Sequence, residues 1–437
     1  MNSARQADWF TLDGRKPVTF HQQLGAGGQG EVHRVEVEGR PLALKRYHPH
    51  AATRSQRLLI ERLIQSGPPA PYFLWPLRMV ESSNEGAFGY VMELREPRFR
   101  PFEDFMARRV VTTFRALLTA GLQLSEGFFQ LHTKGLCYRD ISFGNVFLDP
   151  ATGDIRICDN DNVDVTGAGK GGVMGTPRFM APEVVCEEAA ASADTDRYSL
   201  AVLLFYMLMG GHPLDGAREA NIRCLDMPAM RKLYGTEPLY IFDPTDGSNQ
   251  PVPGIHDNPR LFHPIYPEGL RRLFLQSFTE GLHNPHRRVM ESQWRKEFIR
   301  ARDSLLYCQG CRAHNFYDAT ALQEGRSPTC WKCHRPFQLP PRIRIESTTE
   351  NAVIMLNHDT RLFSHHLRQD FDFDTPVAEV FQRPEDSRQW GLRNLSDEHW
   401  TLARPDGTLV EVAPRSSAPI VSGNVIQFGP VKGQIRG

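Results

Sequence analysis

The sequence lacks the features that assign a chain to a membrane, to secretion or to bulk binding of nucleic acid. Its longest apolar run, Leu200–Met209, is far shorter than the roughly 20 residues that span a bilayer. Residues 1–8 contain no apolar signal region. Over 437 residues, 51 lysines and arginines balance 51 aspartates and glutamates, so no net charge attracts lipid or nucleic acid. We therefore expect a cytoplasmic protein with neither a membrane nor a nucleic-acid partner.

Cysteine is scarce, and half of it is concentrated in one short region. Four of the eight cysteines form two Cys-x-x-Cys pairs with eighteen residues between them: Cys308, Cys311, Cys330 and Cys333. This spacing is typical of a tetrahedral zinc site with four thiolate ligands and argues against a disulfide framework. His314 and His334 lie nearby as alternative ligands. Because four thiolates close the coordination shell, we expect Zn²⁺ to stabilise a small ribbon and to take no part in catalysis.

Two segments about a hundred residues apart point to nucleotide chemistry. Gly25–Val32 has the pattern Gly-x-Gly-x-x-Gly-x-Val, in which residues without a Cβ let the backbone approach phosphate oxygens. Tyr138–Asn145 contains an aspartate, Asp140, five residues before Asn145. The first pattern is typical of a phosphate-covering loop and the second of a catalytic loop. Each is a weak match alone, so the surrounding segments decide the interpretation.

A lysine and a glutamate follow the glycine-rich segment. Lys45 ends a short apolar run, Leu42–Lys45, which predicts a strand. Glu61 lies sixteen residues later within Arg57–Ile64, where the apolar residues have helical spacing. We expect Glu61 to reach back from this helix and orient Lys45.

Three later segments complete the series of motifs along the chain. Gly175–Glu183 ends in Ala-Pro-Glu, Asp196–Ala201 predicts the start of a long central helix, and Arg288 is expected to pair with Glu183. Together with the earlier segments they resemble the protein kinase family over roughly residues 17–303. The resemblance implies a two-lobed α+β kinase fold, with ATP and Mg²⁺ as cofactors.

The resemblance also implies a role for each residue at a matching position. Asp140 would orient the acceptor hydroxyl and take up its proton. Lys45, oriented by Glu61, would hold the α- and β-phosphates. Asn145 and Asp159 would hold Mg²⁺. The nucleotide-contacting residues would be Gly25, Gly27, Gly28, Gly30, Val32, Ala43, Lys45, the gatekeeper Met92, Glu93 and Arg95.

Two aspartates compete for the second metal position. Ile155–Val163 contains Asp-Asn-Asp-Asn where the family has Asp-Phe-Gly. Asp159 directly follows the predicted strand and keeps near-family spacing from Asn145, so we assign the metal to it. Asp161 occupies the position of the family's glycine. We interpret it as a turn-forming residue, with a second-sphere role as the alternative.

Three departures from the family pattern bear on activity. Tyr138 replaces the usual His and Asn160 the usual Phe, at positions that belong to an apolar spine. The catalytic loop also has Ser142 and Gly144 where kinases place a Lys or an Arg. One positive charge on the γ-phosphate is therefore missing, and such a group can be worth several kcal/mol in the transition state. We expect a slow enzyme unless another cation, with Lys170 as the candidate, replaces it; the alternative is an ATP-binding pseudokinase scaffold.

Residues around the catalytic loop suggest the acceptor and the control of the enzyme. Thr176, ahead of Ala-Pro-Glu, favours Ser or Thr acceptors over Tyr. Arg139, directly before Asp140, suggests control by a phosphate on the activation segment. Thr166 is the default site for that phosphate.

From residue 341 onward, short alternating runs predict an all-β sandwich. The runs are Ile343–Ile345, Ala352–Leu356, Val377–Phe381, Trp400–Ala403 and Leu409–Val412. Asp406 and Gly407, between the last two runs, predict a hairpin. Gly391–Ser396 and Ser422–Gly429 loosely resemble the forkhead-associated (FHA) family. That family's Arg and Ser-x-x-His set is missing here, which favours partner docking over phosphopeptide binding.

The complete order predicts an N-terminal extension at 1–16, a protein kinase domain at 17–303, a zinc ribbon at 304–340 and an all-β, FHA-like domain at 341–437. This order resembles the bacterial kinases of tellurite-resistance and stress loci. That group works beside a von Willebrand factor A domain protein and a PP2C-like phosphatase, so the resemblance implies both as partners besides a protein substrate. A zinc-ribbon adaptor associated with nucleic acid stays open as a third interpretation beside the kinase and the pseudokinase.

Overall fold

The computed structural model describes residues 9–83, 86–165, 176–325, 327–346, 351–383 and 386–437. These residues divide into two compact units. The first consists of the described residues up to 263 together with 269–295, and the second of residues 264–268 and 296–437. Each unit has its own hydrophobic core.

The N-terminal part of the first unit is a six-stranded antiparallel sheet with one helix. The strands are β1 (Trp9–Thr11), β2 (Val18–Ala26), β3 (Gly30–Val37), β4 (Arg40–Tyr47), β5 (Arg78–Ser82) and β6 (Phe88–Glu93). Their order in the sheet is β1-β5-β6-β4-β3-β2. Helix α1, Arg54–Ser66, begins where the Thr53 side chain accepts a hydrogen bond from the N–H of Gln56.

Close strand packing explains the last glycine of the glycine-rich segment. A Cβ at Gly30 would lie 2.1 Å from the carbonyl oxygen of Arg46 on the neighbouring strand, so only glycine fits without a shift of the backbone. By contrast, a Cβ at Gly25, Gly27 or Gly28 would meet no atom of another described residue within 4 Å. Those three positions leave the loop backbone open to a ligand.

The rest of the first unit is mainly helical. The helices are α2 (Phe102–Met106), α3 (Phe114–Thr133), α4 (Pro182–Val185), α5 (Ala193–Met209), α6 (Ala217–Ala220), α7 (Met227–Arg231), α8 (Asp257–Phe262), α9 (Glu268–Phe278), α10 (Glu280–His283) and α11 (Glu291–Asp303). Five short strands form two further sheets: β7 (Arg100–Pro101), β8 (Leu136–Cys137), β9 (Val146–Leu148), β10 (Ile155–Ile157) and β11 (Asp164–Val165). Both α9 and α11 include residues of the second unit.

The longest apolar run of the sequence is buried inside α5. A capping box between Ser192 and Thr195 begins this helix, and Gly210, at φ 67°, ends it. Every residue of Leu200–Met209 is buried, so the run is a core helix, as its length predicts. In the described ranges, no helix has both the length and the apolar character that crossing a membrane requires.

The predicted pairing of Arg288 with Glu183 is confirmed. The guanidinium donates to both carboxylate oxygens, at 2.8 and 2.7 Å, and the Arg288 side chain is only 2% exposed. A bidentate pair of this kind fixes both direction and distance. It connects α4 to the turn before α11.

The second unit combines a cysteine-rich segment with two antiparallel sheets. The segment contains β12 (Leu305–Tyr307), β13 (His314–Phe316) and α12 (Ala319–Gln323). The other strands are β14 (Arg342–Glu346), β15 (Ala352–Met355), β16 (Arg361–Phe363), β17 (Pro376–Arg383), β18 (Asp386–Asn394), β19 (Trp400–Ala403), β20 (Leu409–Val412), β21 (Ser417–Pro419), β22 (Val425–Phe428) and β23 (Val431–Arg436), and α13 is Ser364–Arg368. The sheet orders are β15-β14-β23-β22-β19-β20 and β16-β17-β18-β21.

One core lies between these two sheets and agrees with the alternating sequence pattern. It contains Ile343, Leu362, Leu392, Trp400 and Ile426. All five predicted runs coincide with strands, although Leu356 lies one residue beyond the end of β15. The predicted hairpin is also confirmed, because β19 pairs with β20 and Gly407 has φ 85° between them.

Two predicted elements differ from the structure. The apolar residues between Ser292 and Leu306 predict one helix, but α11 ends at Asp303, because Leu305 and Leu306 pair with β13 and are buried as part of a strand. The segment 235–269 is rich in Pro, Gly, Asp and Asn, which predicts one long loop, but it contains α8 and the start of α9. The side chain of Asn249 donates to two backbone carbonyl groups there, at 3.0 and 2.7 Å. Polar composition alone does not reveal such partners.

Candidate active site

Lys45 lies at the centre of a buried cluster of charged groups. Its Nζ is 2.5 Å from Oδ1 of Asp159 and 2.8 Å from Oδ1 of Asp161. Burial alone would lower the pKa of Lys45, but the two carboxylates outweigh burial and raise that pKa. Lys45 therefore carries the positive charge that a phosphate-binding group needs.

Glu61 does not join this cluster, which corrects the sequence prediction. Its carboxylate accepts a hydrogen bond from Nε of Arg57 at 3.2 Å, one helical turn earlier on α1, and its side chain is 37% exposed. Within the part of the chain that the structure describes, the expected Lys45–Glu61 ion pair is not formed. The ammonium group of Lys45 is already paired with two nearer carboxylates, those of Asp159 and Asp161.

The segment after β10 places two aspartates beside the same lysine. Asp159 has φ 56° and ψ 40°, a left-handed conformation, and a 3-10 turn, Asn160–Asn162, follows it. The Asn160 side chain is fully buried and donates to the carbonyl oxygens of Leu74 at 2.9 Å and Ile157 at 3.1 Å. Backbone acceptors thus satisfy the amide NH₂ of this side chain where the family has Phe, whereas its buried Oδ1 has no hydrogen-bond partner among the described residues.

Asp140 and Asn145 meet in the catalytic loop. Nδ2 of Asn145 donates to the backbone carbonyl oxygen of Asp140 at 2.8 Å and to its Oδ2 at 3.1 Å. Thr176 donates to Oδ1 of Asp140 through its N–H and its hydroxyl, each at 3.2 Å. The N–H of Cys158 donates to the carbonyl oxygen of Asn145 at 3.0 Å, which brings the next residue, Asp159, close to Asn145.

These oxygen donors fit a magnesium ion. The Asp159 carboxylate and the amide oxygen of Asn145 are hard ligands of the kind that Mg²⁺ prefers. Two carboxylates beside one ammonium also leave an excess of negative charge. Burial and the neighbouring Asp161 raise the pKa of Asp159 despite the attraction of Lys45. A divalent cation at Asp159 would offset that repulsion.

Asp196 on α5 holds the backbone of the catalytic loop. Its carboxylate accepts hydrogen bonds from the N–H of Tyr138 at 2.5 Å and of Arg139 at 3.0 Å. Arg139 has φ 73°, a conformation that a non-glycine residue adopts only when its surroundings hold it. His132 contacts the same carboxylate at 3.1 Å and Glu291 at 2.7 Å. Burial acts to lower the pKa of His132, but these two carboxylates raise it to about 9.

Tyr138, which stands where the family has His, connects two functional segments. Its hydroxyl donates to the carbonyl oxygen of Cys158, the residue before Asp159. Its ring packs edge-on against Phe128 with 5.7 Å between ring centroids. The tyrosine therefore supplies aromatic packing and also fixes the segment that contains Asp159.

Strand register brings together residues predicted to surround adenine. Ala43 on β4 lies opposite Met92 on β6. The Arg95 guanidinium lies 4.0 Å from the ring centroid of Phe147 and donates to the carbonyl oxygen of Phe99. The sequence interpretation used only the backbone of Arg95, so this stacked pair is an additional feature of the site.

Comparison with known proteins agrees with this arrangement. The protein kinase domain family matches residues 18–253, more than half of the chain. The chain belongs to the protein kinase family. It is 31% identical over 231 residues to the serine/threonine-protein kinase pkn2 of Myxococcus xanthus, a match that covers 49% of this chain and 26% of pkn2. It is 28% identical over 264 residues to the DNA damage-responsive serine/threonine-protein kinase RqkA of Deinococcus radiodurans, covering 58% of this chain and 35% of RqkA. This kinase chain thus spans about a quarter to a third of the length of these relatives.

Sequence reasoning missed three polar side chains of the kinase site. The hydroxyl of Tyr47 donates to Oδ2 of Asp161 at 2.5 Å, and the hydroxyl of Tyr90 donates to Oδ1 at 3.3 Å. Gln56 donates to the backbone carbonyl oxygen of Asp161 at 3.1 Å. Tyr47 lies two residues after Lys45 on the same strand, so both residues lie on the same face of the sheet. This two-residue spacing could have identified Tyr47 from the sequence. Tyr90 and Gln56 could be found only from strand register and helix packing.

Arg139 of the kinase has a carboxylate partner within the described chain. Its guanidinium pairs with Asp164 on β11, and β11 pairs with β8 directly before the catalytic loop. The predicted phosphosite Thr166 and the candidate cation Lys170 lie outside the described residues.

In the second unit, the four cysteines converge on one point. The Sγ atoms of Cys308 and Cys333 are 3.7 Å apart, those of Cys311 and Cys330 are 3.6 Å apart, and all four lie within 4.8 Å of one another. A tetrahedral zinc ion with Zn–S bonds of about 2.3 Å places its sulfur ligands about 3.8 Å apart. The cluster therefore fits Zn²⁺. Among the described residues, the alternative ligands His314 and His334 do not belong to it.

The surroundings of the cluster favour a thiolate at Cys330. At Cys311 the N–H of Ala313 acts to lower the pKa, but burial and the other three cysteines raise it to about 12. Residues Arg312 and His334, which follow the two Cys-x-x-Cys turns, both have a left-handed backbone, with φ 61° and 57°. Burial acts to raise the pKa of Cys330, but the N–H groups of Cys333 and Lys332 lower it to about 6. The thiolate is the form that binds zinc.

Proposed function

We propose that this chain transfers the γ-phosphate of Mg·ATP to a Ser or Thr of a partner protein in a cytoplasmic bacterial stress-signalling system. The main support is the meeting of Asp140 with Asn145, and of Asp159 with Lys45, in a member of the protein kinase family. Both relatives named above are serine/threonine-protein kinases, which supports the acceptor type.

In this proposal the chain supplies positioning and charge. Lys45 holds the α- and β-phosphates, and Asn145 with Asp159 holds Mg²⁺, which neutralises phosphate charge. Asp140 orients the acceptor hydroxyl and accepts its proton as the oxygen bonds to the γ-phosphorus and ADP leaves. Thr176 donates hydrogen bonds to the Asp140 carboxylate and so restricts the orientation of that carboxylate.

A pseudokinase scaffold is the second candidate, and one observation favours it. Ser142 is buried and Gly144 has no side chain, so these positions of the catalytic loop bring no cation to the γ-phosphate. Loss of such a charge slows phosphoryl transfer without preventing ATP binding. A low turnover is therefore expected even if the chain is an enzyme.

Transfer from radiolabelled ATP to protein tests this choice. Asp140→Asn should lower the rate by roughly 10²–10⁴-fold while ATP still binds. The matched control is Asp397→Asn, an exposed aspartate in the connection between β18 and β19, which should keep the parent rate. Equal rates in Asp140→Asn and the parent would reject Asp140 as the base. ATP binding without any transfer by the parent would select the pseudokinase.

We propose for the second unit one structural Zn²⁺ and a docking role. The spacing of the four sulfur atoms supports the metal. A von Willebrand factor A domain protein and a PP2C-like phosphatase are the proposed docking partners, and pull-down of each purified protein by the full chain tests this. Salt-dependent binding of DNA or RNA, with no capture of either protein, would instead select the nucleic-acid-associated adaptor.

A further inference from the structure

The active-site lysine of a kinase needs a carboxylate that holds it without serving as its metal ligand. Asp161 lies in the position for that task, two residues after the proposed metal ligand Asp159. We propose that Asp161, and not Glu61, is the positioning residue that holds Lys45 toward the nucleotide phosphates. This inference rests on the proposed function, because it assigns Lys45 to the phosphates of ATP.

The two carboxylates beside Lys45 differ in burial, and burial separates their roles. The Asp159 side chain is 34% exposed, whereas the Asp161 side chain is 0% exposed. Asp159 is therefore accessible to a hydrated cation from solvent. Asp161 is enclosed by protein, so it stays with Lys45 when Asp159 binds a metal.

Both oxygen atoms of Asp161 have fixed partners. Oδ1 is 2.8 Å from Lys45 Nζ and accepts from the Tyr90 hydroxyl at 3.3 Å, and Oδ2 accepts from the Tyr47 hydroxyl at 2.5 Å. A buried carboxylate is tolerated only when it is paired and hydrogen-bonded in this way. The sheet explains the arrangement, because Tyr90 lies opposite Lys45 and Tyr47 is on the same face two residues later.

Helix α1 is connected to the lysine through an amide rather than a carboxylate. Nε2 of Gln56 donates to the backbone carbonyl oxygen of Asp161 and to the Tyr47 hydroxyl, both at 3.1 Å. Glu61, on the same helix, pairs with Arg57 instead. A shift of α1 would therefore act on Lys45 by way of Gln56 and Asp161.

The reactivity of Lys45 tests this pairing without any need for nucleotide or activity. The full chain, Asp161→Asn and Glu61→Gln are treated with an amine-reactive sulfonate, and labelling of the Lys45 peptide is followed by mass spectrometry. Asp161→Asn removes the buried charged partner that holds the Lys45 amine, so its Lys45 peptide should be labelled about tenfold faster than that of the parent. Glu61→Gln should stay within about twofold of the parent, since Glu61 makes no contact with Lys45. Faster labelling in Glu61→Gln than in Asp161→Asn would overturn the proposal.

Titration with a fluorescent ATP analogue separates this inference from the proposed function. Asp161→Asn should weaken affinity by about tenfold with or without Mg²⁺, and Glu61→Gln by less than about threefold. Affinity unchanged in Asp161→Asn would overturn the pairing and leave the kinase proposal intact. A parent that binds ATP but transfers no phosphate would reject the kinase proposal and leave the pairing intact.

A milder variant keeps the test valid if Asp161→Asn fails to fold, as judged by thermal unfolding and circular dichroism. Tyr47→Phe removes one hydroxyl donor and keeps Lys45 and both carboxylates. It should retain cooperative unfolding and weaken binding of the analogue by about threefold. Parent-like affinity in Tyr47→Phe would then overturn the role of Asp161.

Discussion

The cysteine cluster and the kinase site each gather charged groups, but over different distances along the chain. The cluster uses two local turns, Cys308–Cys311 and Cys330–Cys333, with the same backbone shape after each. In the kinase site, Lys45 meets Asp159 and Asp161, which lie 114 and 116 residues later. The difference shows that a motif predicts a partner when one turn positions both groups. It predicts a partner less well when separate elements position them.

The two regions also differ in what stabilises them. The second unit is expected to draw on a metal, whereas the first unit uses long-range ion pairs such as Arg288–Glu183. Removing the source of stability from one unit should therefore leave the other unit largely intact.

Loss of zinc should produce the largest effect and would show whether the units are energetically separate. Structural zinc contributes about 10–16 kcal/mol in apparent terms in small zinc-binding peptides. Elemental analysis should find one zinc per chain, and Cys330→Ser should lose it together with the folded structure of the cysteine-rich segment, while the two β sheets keep their own core. ATP binding should persist. Cys224→Ser, an exposed cysteine outside the cluster, is the control. A parent without zinc, or full zinc in Cys330→Ser, would contradict the site.

Breaking the Arg288–Glu183 pair should destabilise the first unit alone. Glu183→Ala leaves a buried guanidinium without its carboxylate, which costs about 3–5 kcal/mol. Urea unfolding followed by circular dichroism measures the loss. The exposed neighbour Glu188 provides the control Glu188→Ala, expected within about 0.5 kcal/mol of the parent. Equal unfolding curves for both variants would refute the importance of the pair.

The His132 cluster should give the first unit a pH dependence. Asp196 and Glu291 hold the folded pKa of His132 at about 9, above its ordinary 6.5, and Glu291 also pairs with Arg197. The added stability is fully present below pH 6.5 and lost as pH rises through 9, an effect of about 3 kcal/mol.

Urea unfolding of the parent and of His132→Gln across this pH range measures the effect. The parent's free energy of unfolding should fall relative to that of the variant as pH rises. Parallel pH profiles for the two proteins would contradict a charged His132 in the folded state.

The smallest expected effect is on ATP affinity, and it distinguishes the roles of the two aspartates beside Lys45. Asp159→Asn should abolish the gain in ATP affinity that Mg²⁺ provides, a change of about tenfold or 1.4 kcal/mol. Asp161→Asn should keep that gain while its affinity is lower throughout. Titrations with and without Mg²⁺ measure both, with Asp397→Asn as control. The reverse ranking would assign the metal to Asp161.

Much of the fold was predictable because its signals are local. Alternating apolar residues predicted five strands of the second unit, and Gly407 marked a hairpin that needs a positive φ. The ordered motifs predicted the kinase family, which the family match confirms. The end of α11 was predicted wrongly, because apolar leucines are compatible with a helix and with the strand that they form.

The sequence by itself determined the family, the position of the catalytic loop and the cysteine spacing, since each depends on residue type and short separation. Only the tertiary structure decided the partner of Lys45. Glu61 has the expected chemistry and the expected helix, yet Asp161 is nearer and enclosed by Tyr47 and Tyr90. Which carboxylate pairs with a buried ammonium depends on distance and on access to water. Both are properties of the packed chain.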